Sequence, residues 1–454
     1  MKITFVNPPS EKGKYEHEHM SIPKVGVPYM AAYLEKYNVD CSIIDAKFEM
    51  LTHEEVIERL KKEKPDVVGI SAMTAEIFSA STVAENAKAV LPGCTTVIGG
   101  AHAISIPKET LEEFPAFDML VAGEGELTIL DLMQTLEAGK PVDNVKGLLY
   151  RKDGEIITNP PQDRIDDLDS LPFPAWHKYP HTPPFFYVIS TRGCPNHCAF
   201  CMTILGKKQR RRSPESVVDE IEWLLDKYKV KEINFLDETF TLHREWTNKL
   251  LDLMVERGFP QRMKWIAQTR VDRVDEEIFV NLKRAGCHKI EFGVESGNQE
   301  ILNIIKKNIK LEQVEDAVKF AKKAGLEVGC SFILGHPFET RETAMDTINF
   351  IAKLNPDIVS LGIMVPHPGT KVYEMAVKGE GGYKLTSKNW RDYVKFGGGG
   401  LELETLSRHE MEKLQAKAYI YLYLKNFRIM EFFSYALDHR KQAFAAAKKL
   451  LLGG

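Results

Sequence analysis

Cys194-Pro195-Asn196-His197-Cys198-Ala199-Phe200-Cys201, led in by Ser190-Thr191-Arg192-Gly193, is the stretch on which the reading of this chain turns. Its cysteines follow a C-x3-C-x2-C spacing at the end of a strand-like run. Thiolates this close are metal ligands or nucleophiles, and without a secretory segment they are poor candidates for disulfides. Three is the informative number. An iron–sulfur cube takes four thiolates, so a cube held by this loop alone leaves one iron open to another ligand. Zinc competes for the same thiols with His197 or His181 as a fourth ligand, but the spacing is not a common zinc one and the second pair of a zinc ribbon is missing. Cys41, Cys94, Cys287 and Cys330 stand alone in apolar segments and read as small core residues.

Downstream of the loop the pattern alternates helix and strand. Helices are predicted over 216–228, 245–257, 276–285, 311–324 and 341–354, and strands over 232–236, 264–268, 289–294, 327–334 and 357–361. With Tyr187-Val188-Ile189-Ser190 this gives six parallel strands, a partial βα barrel whose active site lies at the carboxyl ends of the strands. Those ends carry Asp237-Glu238-Thr239-Phe240, Thr269-Arg270, Glu295-Ser296-Gly297, Gly335-His336-Pro337 and Met364-Val365-Pro366. A core-only reading explains the strands but not this gathering of polar and glycine residues at one rim, which favours the cluster over zinc.

Upstream, five short apolar runs at 3–6, 41–45, 67–71, 96–100 and 119–123 alternate with helical patterns, a doubly wound α/β domain. Its strand ends carry Ser71 to Thr74, Gly99-Gly100-Ala101-His102 and Gly123-Glu124-Gly125-Glu126. Glycine at strand ends either ends the strand or admits a large flat ligand. No G-x-G-x-x-G follows the first strand, so a dinucleotide lacks its phosphate-binding turn.

Residues 1 to about 140 resemble the cobalamin-binding domain found ahead of many radical S-adenosylmethionine enzymes, in Asn7-Pro8-Pro9, Gly26-Val27-Pro28-Tyr29, Pro65-Asp66-Val67-Val68-Gly69-Ile70-Ser71, Gly99-Gly100-Ala101-His102 and Ala122-Gly123-Glu124-Gly125-Glu126. The D-x-H-x-x-G segment that supplies a histidine to cobalt elsewhere is absent. The resemblance implies cobalamin with its lower face over Met73 to Phe78, where Met73, Thr74 and Glu76 stand, and with Ser71, Gly99, Gly100, His102 and the Gly123–Glu126 segment around it. His102 reads as a hydrogen-bonding pocket residue rather than a ligand.

The cysteine loop and barrel, residues 185 to about 375, resemble the radical S-adenosylmethionine superfamily. That resemblance implies a 4Fe–4S cluster on Cys194, Cys198 and Cys201 whose open iron binds S-adenosylmethionine, cleaved after one-electron reduction to methionine and a 5′-deoxyadenosyl radical. By position, Asp237, Glu238 and Thr239 hold the methionine amino group, Glu295 and Ser296 the ribose and carboxylate, and Arg270 is a candidate for the carboxylate. Phe200 and Val365 flank the adenine, with Gly335 beside it through its backbone. The expected architecture is α/β: a Rossmann-like cobalamin-binding domain (1–140), a linker (141–184), a partial (βα)6 radical S-adenosylmethionine barrel (185–375) and a helical C-terminal domain (376–454). The linker contains a hairpin-like piece about Asp153-Gly154 and proline-rich extended segments.

The function these resemblances imply is a cobalamin-dependent radical C-methyltransferase acting on an unactivated carbon, on a peptide or protein side chain, through methylcobalamin. Cyclisation or oxidation without methyl transfer and a non-catalytic metal module are the alternatives. A methylthiotransferase would need a further cysteine trio upstream. An electron donor such as ferredoxin or flavodoxin is implied. Among 454 residues, hydrophobic residues at 44%, charged residues at 27% and a net charge of -4 give no bulk reason to bind nucleic acid. No signal peptide and no apolar run of membrane-spanning length is present, so the expected place is the cytoplasm. The run Lys207-Lys208-Gln209-Arg210-Arg211-Arg212 reads as a solvated face. Lys378 to Gly400 reads as a mobile glycine-rich loop, and 407–451 as helix with an aromatic stripe from Tyr419 to Tyr435, ending at Lys448-Lys449 and Gly453-Gly454.

Overall fold

Near-continuous apolar runs such as Val67-Val68-Gly69-Ile70 suit strands buried on both faces. A computed structural model describes residues 1–10, 23–394 and 399–438, omitting the side chains of 433–436 and 438. Gly397, Gly398, the part of the expected helix beyond 438 with Lys448-Lys449 and Gly453-Gly454, and the rings of Phe433 and Tyr435 lie outside that description. The chain divides into two units: 1–195 with 202–229 and 389–393, and 196–201 with 230–388 and 394–454.

The first unit runs β1 (Lys2–Asn7), α1 (Gly26–Lys36), β2 (Asp40–Asp45), α2 (His53–Glu63), β3 (Val67–Ser71), α3 (Ile77–Val90), β4 (Thr95–Gly99), α4 (Ala101–Ser105), α5 (Pro107–Glu113), β5 (Met119–Val121), α6 (Gly125–Glu137), β6 (Leu148–Lys152) and β7 (Glu155–Thr158). The sheet order is β2-β1-β3-β4-β5-β6-β7, its first five strands parallel. The order 2-1-3-4-5 is doubly wound, with the topological switch between β1 and β3 where such sheets bind ligands. Ile3, Phe5, Ile44, Val68, Ile98 and Leu120 form its core. α2 starts on a capping box of Thr52 and Glu55.

The hairpin about Asp153-Gly154 forms as expected, with Lys152 opposite Glu155 and φ of +52° and +83° at the two turn residues. It does not hang free as a linker piece: β6 pairs antiparallel with β5 and extends the sheet past residue 140. Then follow β8 (Phe186–Val188), which is the first barrel strand expected, the antiparallel pair β9 (Thr191–Arg192) and β10 (Arg210–Arg211), and α7 (Pro214–Tyr228), capped by Ser213.

The second unit contains β11 (Glu232–Phe235), α8 (Arg244–Glu256), α9 (Phe259–Arg262), β12 (Lys264–Thr269), α10 (Glu276–Arg284), β13 (Cys287–Glu295), α11 (Gln299–Ile304), α12 (Leu311–Lys323), β14 (Glu327–Leu334), α13 (Arg341–Leu354) and β15 (Ile358–Ile363). The strands lie in sequence order and parallel, with Ile233 beside Trp265, Ala267 beside Ile290, Phe292 beside Cys330 and Phe332 beside Leu361. This is the βα succession of a barrel, which brings every strand's carboxyl end to one rim.

The glycine-rich stretch after α14 (Lys371–Lys378) is more ordered than expected. Tyr383–Leu385 and Leu401–Leu403 form an antiparallel pair, β16 and β17, because Tyr383, Leu401 and Leu403 bury together. The described part of the tail holds two helices, α15 (Arg408–Lys425) and α16 (Ile429–Asp438), broken where Phe427 takes φ +55°. Among the described residues no helix is long and apolar enough to cross a membrane.

Candidate functional site

In the first unit, the ends of β3, β4 and β5 carry the residues expected around cobalamin. Gly100 has φ +92°, and a Cβ there would stand 2.6 Å from the Ala72 carbonyl oxygen, so only glycine fits. Gly99 and Gly123 instead face open space, with no heavy atom within 4 Å of where a Cβ would lie. His102 is fully buried, both its ring nitrogens lack a partner, and burial holds its pKa down at about 4. Open glycine-lined space beside an orphaned neutral imidazole fits a large flat ligand edged with polar groups.

Of the three side chains on the loop after β3, Thr74 is buried and Met73 is half exposed. Glu76 is spent on ion pairs: Lys24 Nζ donates to it at 2.5 Å and Lys47 Nζ at 2.9 Å. Burial pushes its carboxyl up, but the two ammonium charges outweigh that and hold it at about 2. Lys24 also donates to the Ser71 carbonyl at 2.9 Å, fixing the end of β3.

The two glutamates of the Gly123–Glu126 segment are engaged by arginines of the chain. Arg210 forks onto Glu124, with contacts of 2.8 and 2.7 Å, and Arg192 donates to Glu126 at 2.7 Å and to Glu124 at 3.4 Å. All four side chains are buried. Arg212 is likewise buried against the fully buried Glu220. The reading of Lys207–Arg212 as a solvated face is therefore corrected: Lys207, Lys208 and Arg211 are exposed, but Arg210 and Arg212 are interior ion-pair partners. Arg192 stands two residues before Cys194, so this lattice ties the glycine–glutamate segment to the start of the cysteine loop. Gly193, with φ +94°, lies where a Cβ would meet the Lys208 carbonyl oxygen at 2.4 Å, and the Cys194 N–H donates to the Gly206 carbonyl at 3.0 Å.

The cysteines differ in kind. Cys194 and Cys198 are half-buried and Cys201 is exposed, whereas Cys41, Cys287 and Cys330 are buried. Burial pushes the thiols of Cys41 and Cys287 up to about 11 and about 12, which makes them poor thiolate ligands. Among the described residues no three His, Cys, Asp or Glu side chains converge where a single metal ion would sit.

In the second unit, Ala199 of the loop is held on both sides, its N–H donating to the Ile305 carbonyl at 2.9 Å and its carbonyl accepting from Val372 at 3.0 Å. Phe200 lies half-buried with Lys307 Nζ 6.0 Å from its ring centroid and the His336 ring at the same distance. Lys307, which the sequence did not single out, is buried and donates to Glu295 Oε1 at 2.9 Å. Glu295 ends β13 at a register shift with φ +76°, a strained conformation for a non-glycine residue. His336 Nε2 meets the Glu295 carbonyl at 3.2 Å.

Arg270 is already engaged: Nε and Nη2 fork onto Asp272 at 2.8 and 3.2 Å, and Nη2 also reaches the Lys307 carbonyl at 2.8 Å. Asp237 and Thr239 are buried and Glu238 is exposed, with the Thr239 hydroxyl donating to the Glu238 carbonyl at 2.7 Å. Buried Ser296 meets the Thr347 hydroxyl at 3.2 Å. Val365 is half-buried. Both backbone groups of Gly335 have partners, its carbonyl accepting from the Tyr383 hydroxyl at 3.0 Å and its N–H donating to Glu339.

Glu339 is a second residue that sequence reasoning missed. Its Oε2 accepts from the backbones of Gly335 and His336 and its Oε1 has no partner. Burial pushes its pKa up from 4.5 to about 7, and burial holds His336 down from 6.5 to about 4. The two act oppositely on stability. Between 4.5 and about 7 the unfolded chain has released the Glu339 proton and the fold retains it, so stability falls as pH rises. His336 makes stability rise with pH between about 4 and 6.5. Glu339→Gln removes the first effect alone, so the variant should gain on the wild type by about 1–3 kcal/mol as pH rises from about 5 to 8 in urea unfolding. A pH-independent difference would show that Glu339 titrates alike in both states.

Residues 188–351 match the Radical SAM superfamily and residues 19–133 the B12 binding domain. The chain is 36% identical over 433 residues to an uncharacterized methyltransferase of Pyrococcus horikoshii, spanning 94% of this chain and 93% of that protein. It is 31% identical over 388 residues to the anaerobic magnesium-protoporphyrin IX monomethyl ester cyclase of Cereibacter sphaeroides, spanning 82% and 63%. Among solved structures, the radical S-adenosylmethionine methyltransferase TsrM of Kitasatospora setae, with cobalamin and a 4Fe–4S cluster bound, shares the fold at a TM-score of 0.74 and 17% identity, over 93% of this chain and 88% of that one. With a three-cysteine loop ahead of a parallel βα succession, and a doubly wound domain with glycine-lined strand ends before it, this chain belongs to the radical S-adenosylmethionine superfamily, among its members that carry a B12-binding domain.

Proposed function

We propose that this enzyme transfers a methyl group to an unactivated carbon. The observation that carries the reading is the end-to-end likeness to a methyltransferase, 93% of whose length is spanned, against 63% for the cyclase. When bound, the cluster with S-adenosylmethionine supplies one-electron chemistry that removes a hydrogen atom from such a carbon, and cobalamin supplies the methyl group.

The chain's own residues hold and orient these groups. Cys194, Cys198 and Cys201 each bind one iron and leave the fourth open for S-adenosylmethionine. Lys307 engages only one oxygen of Glu295, leaving the other to accept a ribose hydroxyl. Because the Arg270 fork is closed on Asp272 whereas the Lys307 ammonium gives Glu295 one of its three donors, we assign the contact with the S-adenosylmethionine carboxylate to Lys307 and give Arg270 the task of fixing the segment that carries it. Asp237, Glu238 and Thr239 take the amino end, Ser296 lies beside the ribose, and Phe200, Val365 and Gly335 flank the adenine. Ser71, Gly99, Gly100, Gly123 and Gly125 shape the cobalamin edge, Met73 and Thr74 stand below it, and His102 offers a hydrogen bond. Glu76, Glu124 and Glu126 act as anchors of that edge through their lysine and arginine partners. An electron donor of the ferredoxin or flavodoxin type completes the cycle.

The acceptor we place on a peptide or protein side chain. The test is to feed the reduced holoenzyme with methyl-deuterated S-adenosylmethionine and a mixture of peptides and extracted small molecules, then search for labelled products. A product gaining one labelled methyl in place of hydrogen is expected. Products that lose hydrogen with no label would favour the cyclase reading, which the 31% identity to the cyclase keeps in play.

A further inference from the structure

Asn389–Tyr393 lies far beyond the barrel in sequence yet belongs to the first unit. Trp390 and Tyr393 are 6% and 3% exposed, with ring centroids 4.9 Å apart. The indole meets the imidazole of His102 edge-on, 5.0 Å between centroids at 74°, and its Nε1 donates to Glu113 Oε2 at 2.9 Å. Beside it the Arg391 guanidinium lies 4.2 Å over the ring of Phe78. The turn Trp390–Asp392 packs along Thr74–Glu76 and α3. It thus covers the ends of β3 and β4, the edge where a doubly wound sheet binds its ligand.

Packing alone accounts poorly for this arrangement. Both nitrogens of His102 are buried without a partner, and the one polar group of the indole is committed to Glu113. Buried polar groups are normally satisfied, so the imidazole calls for a ligand bearing donors or acceptors next to an aromatic wall. The amide-fringed corrin has that chemistry, with apolar ring surface for the indole and amide side chains for the imidazole.

We propose that Asn389–Tyr393 is the cover of the cobalamin site and that Trp390, steadied by Glu113, contacts the bound cofactor and slows its escape. This rests on the assignment of cobalamin to the first unit. The cover comes from a segment outside the B12-binding match at 19–133, so the site is complete only in the full chain.

The full-length protein, reconstituted with hydroxocobalamin, is diluted into cofactor-free buffer, and retained corrinoid is followed by absorbance after rapid desalting, with iron content and melting temperature read in parallel. W390A is expected to lose cobalamin at least about tenfold faster than wild type, the scale of one lost aromatic anchor. W390F, which keeps an aromatic plane, should stay within about threefold, and E113A, which removes the acceptor of the indole N–H, should fall between them, with iron per chain unchanged in all. W390A that holds cobalamin as long as the wild type overturns the cover. Should W390A fail to fold, E113A decides, and a wild-type rate there overturns it too. A wild type that takes up no cobalamin overturns the cofactor assignment beneath it.

Discussion

Cys198→Ala is expected to leave the chain without its cluster and to reduce cleavage of S-adenosylmethionine by more than the roughly 10²–10³-fold that losing a single stabilising donor costs an enzyme. The reason is that the loop has no spare ligand. Cys41, Cys287 and Cys330 are buried, with thiols pushed up by burial, and no other cysteine lies near Cys198 in sequence apart from Cys194 and Cys201. The fold itself should survive, since Cys198 is only half-buried and its neighbour Ala199 is held by backbone bonds to Ile305 and Val372 that the substitution leaves alone. Iron content, 5′-deoxyadenosine formation and the melting curve separate the two effects. Retained cleavage at wild-type iron content would refute the assignment.

Glu124→Ala should cost stability about 3–5 kcal/mol, because it leaves the buried Arg210 without a carboxylate and takes one of two from the buried Arg192. Arg210 loses both contacts of its fork, and Arg192 retains Glu126 alone. Set against a usual total of about 5–15 kcal/mol, that is a large share. Glu126→Ala should cost less, since Arg192 keeps its contact with Glu124. The pH dependence has a definite sign. Burial pushes the Glu124 carboxyl up, but the bond from Arg210 and the charges of both arginines outweigh it and set its pKa below 4.5. Its contribution is present above 4.5 and is lost as pH falls through the lower folded value. Urea midpoints of both variants at neutral and acid pH, with iron counted in parallel, check the ranking; equal midpoints would mean the lattice is not what joins the two loops.

Local pattern carried much of this fold. The buried strands announce themselves as apolar runs, the hairpin by Asp153-Gly154, and the cysteine loop by its spacing, all signals confined to a few consecutive residues. What stayed hidden depends on partners far apart in sequence. Arg210 looks like one more basic residue in a solvated run until Glu124, 86 positions earlier, is found against it. The glutamates of Gly123–Glu126 look like ligand contacts for the same reason. Arg270 has the right chemistry for a carboxylate, but Asp272, two residues on, supplies one from within the chain. Lys307 gives no sign of its place because its position depends on how the end of α11 docks on Ala199 and on the bulge that turns Glu295. Trp390 stands at His102 from 288 residues away, a pairing no periodicity encodes.

The central claim is that one chain uses its cysteine loop and its B12-binding domain for methyl transfer. The most direct measurement supplies the anaerobically reconstituted, reduced enzyme with S-adenosylmethionine labelled in its methyl group, quenches with acid in the dark, and assays the extracted corrinoid for label. Label on the corrinoid is expected in amounts comparable to the bound cobalamin, together with cluster-bound iron and no zinc. Unlabelled corrinoid from an enzyme that holds both cofactors and still forms 5′-deoxyadenosine would contradict it.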